Sequence, residues 1–256
     1  MATVARDSTV KSVARALELL AALSEGEELA LGDLAARASL VPSTAHRLLL
    51  TLIEAGYVVQ NPETRRYCVG TRLLEYSVAV AQRLDDLRAA AGPVMATLVR
   101  EVGETAHLTV LDRHDVLFVA QELGPGRVRM DVEPGTRVSA HVTAAGKSVL
   151  AYQSPESLDA LFADWTLERF TPHTITDVAE FRRELEKVRR RGWALDYEEQ
   201  EEGVACVGAP ILSGQSLPTA ALSVSGPTSR LRRASLPRLA VLVEAAAGSV
   251  AARLEG

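Results

Sequence analysis

Aromatic and cysteine residues are scarce in this 256-residue chain. Phe, Tyr and Trp make up 4%, so a core has to be built from Ala, Val and Leu. The two cysteines, Cys68 and Cys206, stand 138 positions apart. That excludes a disulfide framework and fits a reducing, cytoplasmic setting. Five histidines occur with no Cys-x-x-Cys or His-x-x-x-His pair, so neither a metal site nor a cofactor is expected. No run of eighteen uncharged apolar residues occurs, because Glu244 interrupts even the Ala-rich C-terminal stretch; neither a membrane span nor a membrane partner is expected. Residues 1–9 lack the apolar segment of a secretory signal. His141-Val-Thr-Ala-Ala-Gly-Lys-Ser ends like a Walker A loop, but His141 occupies the position of the required first glycine. Cys206, His141 and Asp196 are hydrolase residue types without a nucleophile signature around them, so no enzymatic activity is expected.

What is present is an ordinary globular mixture, 47% apolar and 24% charged, long enough for two domains. The formal net charge of −5 argues at first against a nucleic-acid partner, since phosphate contacts need Lys and Arg. The charge is unevenly divided. Residues 1–72 hold eight basic and eight acidic side chains, and the whole deficit lies in 73–256. Within 37–72, Arg37, Arg47, Arg65, Arg66 and Arg72 face only Glu54 and Glu63.

The neutral N-terminal part has the pattern of a winged helix. Val10, Val13, Leu17 and Leu20 form one apolar helical face that ends near Ser24-Glu-Gly. A short helix over Asp33–Ala38 follows, then a break at Ser39-Leu-Val. Pro42 next opens a helix whose stripe is Ala45, Leu48, Leu49 and Leu52, stopped by Gly56. With that stripe inward, Ser43, Thr44, His46, Arg47 and Leu50 lie on or beside the opposite face, which is polar, small and basic enough for a major groove. Tyr57-Val-Val-Gln and Arg65-Arg-Tyr-Cys-Val flank the turn signal at Asn61-Pro, a hairpin placed where a wing belongs. Its Arg65 and Arg66 are expected beside the DNA backbone or minor groove.

These residues resemble a known family. Ser12-Val-Ala-Arg-Ala-Leu-Glu-Leu-Leu, Ser43-Thr-Ala-His-Arg-Leu-Leu, Gly56-Tyr-Val and Tyr67-Cys-Val-Gly are similar to the DNA-binding domain of IclR-type bacterial transcriptional regulators. One departure lies in the turn. Where the family commonly has Gly-Leu-Pro-Lys, this chain has Ser39-Leu40-Val41-Pro42, which removes one expected phosphate contact and moves the proline.

Beyond residue 70 the helical spacing predicts a linker helix to about Leu84–Arg88 and a second helix from Pro93 to Val102, separated at Gly92-Pro93. Extended runs follow at 106–111, 116–122, 127–132, 193–198, 204–212 and 219–224, with helices at 144–152, 176–191 and 236–254. About six strands in mostly hairpin order indicate an α+β domain with an antiparallel sheet. The expected domains are a winged helix-turn-helix at 1–70, a linker helix at 71–88 and an effector-binding domain at 89–256. The acidic run Glu198–Glu202 reads as a solvated loop.

The resemblance continues in order through Gly103-Glu-Thr-Ala-His-Leu, Ala144-Ala-Gly-Lys, Thr171-Pro-His-Thr, Asp196-Tyr-Glu-Glu, Gly203-Val-Ala-Cys-Val-Gly-Ala-Pro and Ala221-Leu-Ser-Val-Ser-Gly-Pro. It implies a GAF-like C-terminal domain, a homodimer or dimer of dimers, a double-stranded DNA operator and a small-molecule effector. By motif position the effector would be lined by Val138, Ala144, Ala145, Asp196, Cys206, Ser223 and Ser225. That set of hydroxyls, a thiol, a carboxylate and small residues suits a small organic acid. The expected function is thus an effector-modulated DNA-binding regulator, repressor or activator. The competing reading is a sensor or hydrolase-like enzyme whose winged helix serves protein contacts.

Overall fold

A computed structural model describes residues 10–24, 28–214 and 219–255. The stretch 1–9 and the Glu25-Gly26 stop signal lie outside the described residues. The chain divides into two compact units, Met1–Arg83 and Leu84–Gly256.

In the first unit, α1 (Lys11–Ala22), α2 (Leu31–Arg37) and α3 (Pro42–Glu54) precede an antiparallel hairpin of β1 (Val58–Gln60) and β2 (Tyr67–Val69). Pro42 sits in the first turn of α3, where its missing N–H is harmless. The α3 stripe faces inward as its spacing requires: Ala45, Leu49 and Leu52 are buried with Leu19, Leu23, Leu34, Val58 and Tyr67. For α1 only Leu20 of the Val10–Val13–Leu17–Leu20 face packs against the core. Val10, Val13 and Leu17 are 61%, 56% and 59% exposed, and the core takes Leu19 and Leu23 instead. The helix carries apolar residues on two faces, and periodicity alone does not tell which one the neighbouring helices cover. In the α2–α3 turn Ser39 adopts φ +51° while the Leu40 N–H donates to the Ala35 carbonyl at 2.7 Å.

The next helix, α4 (Arg72–Val102), runs without interruption through Pro93, contrary to the expected break. An interior proline costs about 3 kcal/mol. Against that, Ala90, Ala91, Met95, Leu98 and Val99 are all buried in one core, and full burial of a large apolar side chain contributes roughly 2 kcal/mol. Tertiary packing therefore overrides the local signal.

The second unit is a six-stranded antiparallel sheet in the order β5-β4-β3-β8-β7-β6. Its strands are β3 (Thr105–Asp112), β4 (Asp115–Glu122), β5 (Arg137–Ser139), β6 (Ala194–Tyr197), β7 (Val204–Pro210) and β8 (Ala220–Pro227). The expected strand at 127–132 is absent. That stretch is held by side chains, Gln121 bonding Asp131 and the Val132 N–H, and the third strand of the meander falls instead at Arg137–Ser139. One sheet face is apolar (Ala106, Leu108, Ala205, Val207, Leu222, Val224) and packs on α4 and on α8 (Leu236–Glu255). The segment Arg233–Glu255 is in fact long and apolar enough, by length and composition, to cross a membrane. Its Leu239, Val243, Ala247 and Val250 bury in this core. The other face meets α5 (Ala144–Leu150), with α6 (Pro155–Phe162) and α7 (Val178–Arg191) beyond it. Helix α7 begins at the Asp177 cap and ends at Gly192, whose φ of +88° is the left-handed conformation that closes a helix. Helix α6 is not among the helices expected from the sequence, although Ser154 caps it and Pro155 stands in its first turn.

Candidate functional site

The first unit presents one surface with the chemistry of a DNA reader. On α3, Ser43, His46, Arg47 and Leu50 are exposed and Thr44 is half-buried. All lie away from the buried Ala45–Leu49–Leu52 stripe, so the helix offers short polar groups at its N-terminal end and one guanidinium a turn later. In the wing, the Asn61 N–H and the Arg66 carbonyl close the loop at 2.8 Å, and Arg65 and Arg66 are both exposed. They differ in role. The Arg66 guanidinium donates to the Glu28 carbonyl at 2.9 Å, while the Arg65 backbone takes φ +60° at the tip. Leu29 pairs with Tyr67 through two backbone bonds of 2.9 and 2.8 Å, an isolated bridge that ties this segment to the wing. Glu28 and Leu29 have no motif signal; only the fold brings them to the hairpin.

The second unit places polar residues where period-two alternation turns them away from the apolar core. On that face the register aligns Thr105, Ser225, Cys206 and Asp196 across β3, β8, β7 and β6, and beside them His107, Ser223 and Gly208. All of these side chains are buried: Asp196 and His107 are 1% exposed, Ser223 4%, Ser225 5% and Cys206 9%. The first residues of α5, Ala144 and Ala145, press on this row. A Cβ at Gly208 would lie 2.7 Å from the Ala144 carbonyl carbon and 2.8 Å from the Ala145 nitrogen, so only glycine allows the approach. Asp196, Cys206, Ser223, Ser225, Ala144 and Ala145 thus converge. Val138 does not join the row: it faces the same side but sits half-buried on β5, the opposite edge strand from β6.

Several residues of the cluster lie outside the set drawn from motif position. Lys147 is fully buried and ion-pairs with Glu199, so the Walker-like lysine is committed to a carboxylate. Glu199 also corrects the reading of Glu198–Glu202 as a solvated loop; it turns inward while Glu201 and Glu202 are exposed. The Glu199 N–H donates to Asp196 Oδ1 at 2.9 Å. Thr171 and Thr174 pin the same loop by donating to the Glu198 and Glu199 carbonyls, each at 2.6 Å. His107 stands 3.4 Å from the Ser225 hydroxyl and edge-on to Phe118.

Three buried atoms of this cluster, His107 Nε2, Asp196 Oδ2 and Glu199 Oε2, have no hydrogen-bond partner among the described residues, an arrangement that costs about 1–3 kcal/mol per group. Burial pushes the Asp196 carboxyl up to about 6, with Lys147 opposing the shift and Glu199 adding to it. Burial also raises Glu199 against the pull of Lys147 and drives His107 down to about 4. The Cys206 thiol is held well above its ordinary value by burial and by Asp196, which disfavours the reactive thiolate. The His141 ring nitrogens are engaged by Ser139 Oγ at 2.8 Å and the Glu168 carbonyl at 3.0 Å. Cys206 and Asp196 are neighbours in register; these bonds tie His141 elsewhere.

Comparison with known proteins covers both units. Residues 12–62 match the IclR helix-turn-helix domain, and residues 78–252 match the bacterial transcriptional regulator IclR C-terminal domain. The chain is 35% identical over 238 residues to the HTH-type transcriptional regulator BhcR of Paracoccus denitrificans, spanning 93% of this chain and 85% of that protein. It is 36% identical to XynR of Escherichia coli, over 89% and 90% of the two chains. Among solved structures, an IclR-type regulator from a Silicibacter species superposes with a TM-score of 0.79 at 30% identity, covering 96% of both chains. An IclR homolog from Microbacterium hydrocarbonoxydans, solved in complex with 4-hydroxybenzoate, does so at 0.74 and 26%, covering 95% and 98%. The reading helix, the wing and the polar-faced sheet are those of a transcription factor, and the chain belongs to the IclR family of bacterial transcriptional regulators.

Proposed function

We propose that residues 1–70 bind an operator, that 71–88 connect, and that 89–256 bind a small organic acid which modulates DNA binding, without catalysis. On this reading Ser43, Thr44, His46 and Arg47 enter the major groove, and Arg65 and Arg66 flank it. Ala144, Ala145, Asp196, Cys206, Ser223 and Ser225 line the effector site, with Val138 at its margin. The observation that carries the effector half is the buried polar row in which Asp196 Oδ2 and His107 Nε2 find no partner among the described residues; a ligand bearing both donor and acceptor groups satisfies them. The hydroxy acid held by the Microbacterium relative has that chemistry. The chain acts on cytoplasmic DNA as a homodimer or dimer of dimers. An apolar groove of about 590 Å³ lined by Val13, Leu17, Leu48, Tyr57, Leu73 and Tyr76 offers the first unit a surface for a second copy.

The test is a genomic-DNA selection followed by mobility shift. Arg47→Ala is expected to lose operator affinity with unchanged circular dichroism; unchanged affinity counts against the reading. A panel of small carboxylates, scored for a thermal shift and for a change in operator affinity, tests the effector half. A ligand that moves the wild type and leaves Ser223→Ala/Ser225→Ala unmoved supports the site. If no acid in the panel moves either readout, the organic-acid assignment falls. Recovery of no palindromic site, together with a co-purifying protein lost on Arg47→Ala, favours the protein-contact alternative.

A further inference from the structure

The wing tip is built around a residue that belongs to neither of its strands. Glu28 Oε1 accepts from Asn61 Nδ2 at 3.0 Å, and its Oε2 accepts from Thr64 Oγ1 at 3.1 Å. Its backbone carbonyl takes the Arg66 guanidinium at 2.9 Å. Asn61 in turn receives the Glu63 and Thr64 N–H groups on Oδ1 at 3.0 and 3.2 Å, and Gln60 Nε2 donates to the Arg65 carbonyl at 2.9 Å. These bonds surround Arg65, whose φ of +60° lies in the left-handed region that favours glycine. An arginine held there by its neighbours, at a position glycine would occupy without strain, marks a side chain kept for its chemistry. A carboxylate on the DNA-facing side is otherwise unfavourable beside phosphates; here both of its oxygens are occupied by the loop.

We propose that Glu28 is the positioning residue of the wing: it touches no DNA and, through Asn61 and Thr64, fixes the strained turn that aims Arg65 at a backbone phosphate. Arg66 then acts as a brace of the same clasp rather than as a second equal contact. This rests on the reading that the wing meets DNA, and the experiment separates the two.

Binding of the full-length chain to a duplex recovered from genomic DNA by the chain itself is followed by anisotropy across a salt series. Arg65→Ala removes one phosphate contact, so the slope of log affinity against log salt falls by about 1 and affinity drops about tenfold. Glu28→Ala is expected to reproduce both changes, and the double variant to be no weaker than Arg65→Ala alone, because the two act as one unit. Glu28→Gln, which keeps an acceptor for Asn61, restores most of the loss. Thr64→Val, an exposed change that removes one Glu28 contact together with the acceptor of the Arg66 N–H, shifts slope and affinity part of the way and guards against misfolding of the alanine variant. Arg65→Gly melts higher than wild type while binding more weakly. Wild-type affinity in Glu28→Ala, or a loss that is additive with Arg65→Ala at unchanged salt slope, overturns the role of Glu28. An unchanged Arg65→Ala overturns the wing reading and this proposal with it.

Discussion

Asp196 and His107 lie on the same buried sheet face, three strands apart, with pKa values displaced in opposite directions, and both displacements are linked to stability. The folded-state Asp196 value of about 6 lies above the ordinary 3.8. Its ionisation is therefore penalised in the folded protein by about 3 kcal/mol above pH 6, and the penalty is relieved as pH falls from 6 towards 4. For His107 the folded value of about 4 lies below the ordinary 6.5. It contributes nothing at pH 7.5, and as pH falls below 6.5 the unfolded chain takes the proton first, which destabilises the fold by about 3 kcal/mol near pH 4. The two slopes nearly cancel, leaving almost no net change from this pair between pH 6 and 4. Each single variant uncovers the other slope. Asp196→Asn should gain about 1–3 kcal/mol at pH 7.5 and lose it steadily on acidification, while His107→Gln should match wild type at pH 7.5 and grow more stable towards pH 4.5. Trp165 and Trp193, the chain's two tryptophans, both lie in the second unit, so denaturant unfolding followed by tryptophan fluorescence reports that unit alone. Parallel pH profiles for the three proteins, or a loss of stability in Asp196→Asn that is the same at every pH, would refute the reasoning.

Other outcomes follow from single contacts. Ser39→Gly relieves a left-handed serine in the α2–α3 turn and should stabilise the first unit by about 1 kcal/mol, read as a higher melting temperature by far-UV circular dichroism. Lys147→Met leaves Asp196 and Glu199 buried without their cation and should cost about 3–5 kcal/mol at pH 7.5; adding Glu199→Gln should recover part of it, and a double variant no better than the single contradicts the pairing. Gly208→Ala drives a methyl into the α5 backbone and should destabilise by about 1–3 kcal/mol, with the effector-dependent thermal shift lost even where the protein still folds.

The order of elements and the α3 face are legible in the sequence because Ala45, Leu49 and Leu52 follow one period and meet one core. The α1 face is not, since Val10–Val13–Leu17 and Leu19–Leu23 are equally apolar and only the neighbouring helices choose between them. Pro93 is a local signal outweighed by five buried neighbours on the same helix. In the effector unit, alternation in Ser223-Val-Ser225 and the centre of β7 point to the polar face directly. His107, Lys147 and Glu199 are hidden for a different reason: each joins the cluster through a partner far along the chain, Lys147 and Glu199 being 52 positions apart. The wing clasp is non-local in the same way, with 36 positions between Glu28 and Thr64.

The division of labour between the two faces of the sheet bears on how such a regulator diversifies. Alternate residues of β7 and β8 serve separate masters: Ala205, Val207, Leu222 and Val224 hold the fold against α4 and α8, while Cys206, Ser223 and Ser225 face the polar row. On the proposed reading, ligand preference can drift at the second set while the first stays fixed, because a substitution there leaves the main core without a new cavity. The sheet thus separates evolvability from foldability residue by residue, and an engineer seeking a biosensor for a new metabolite has the same short set of alternate positions to vary.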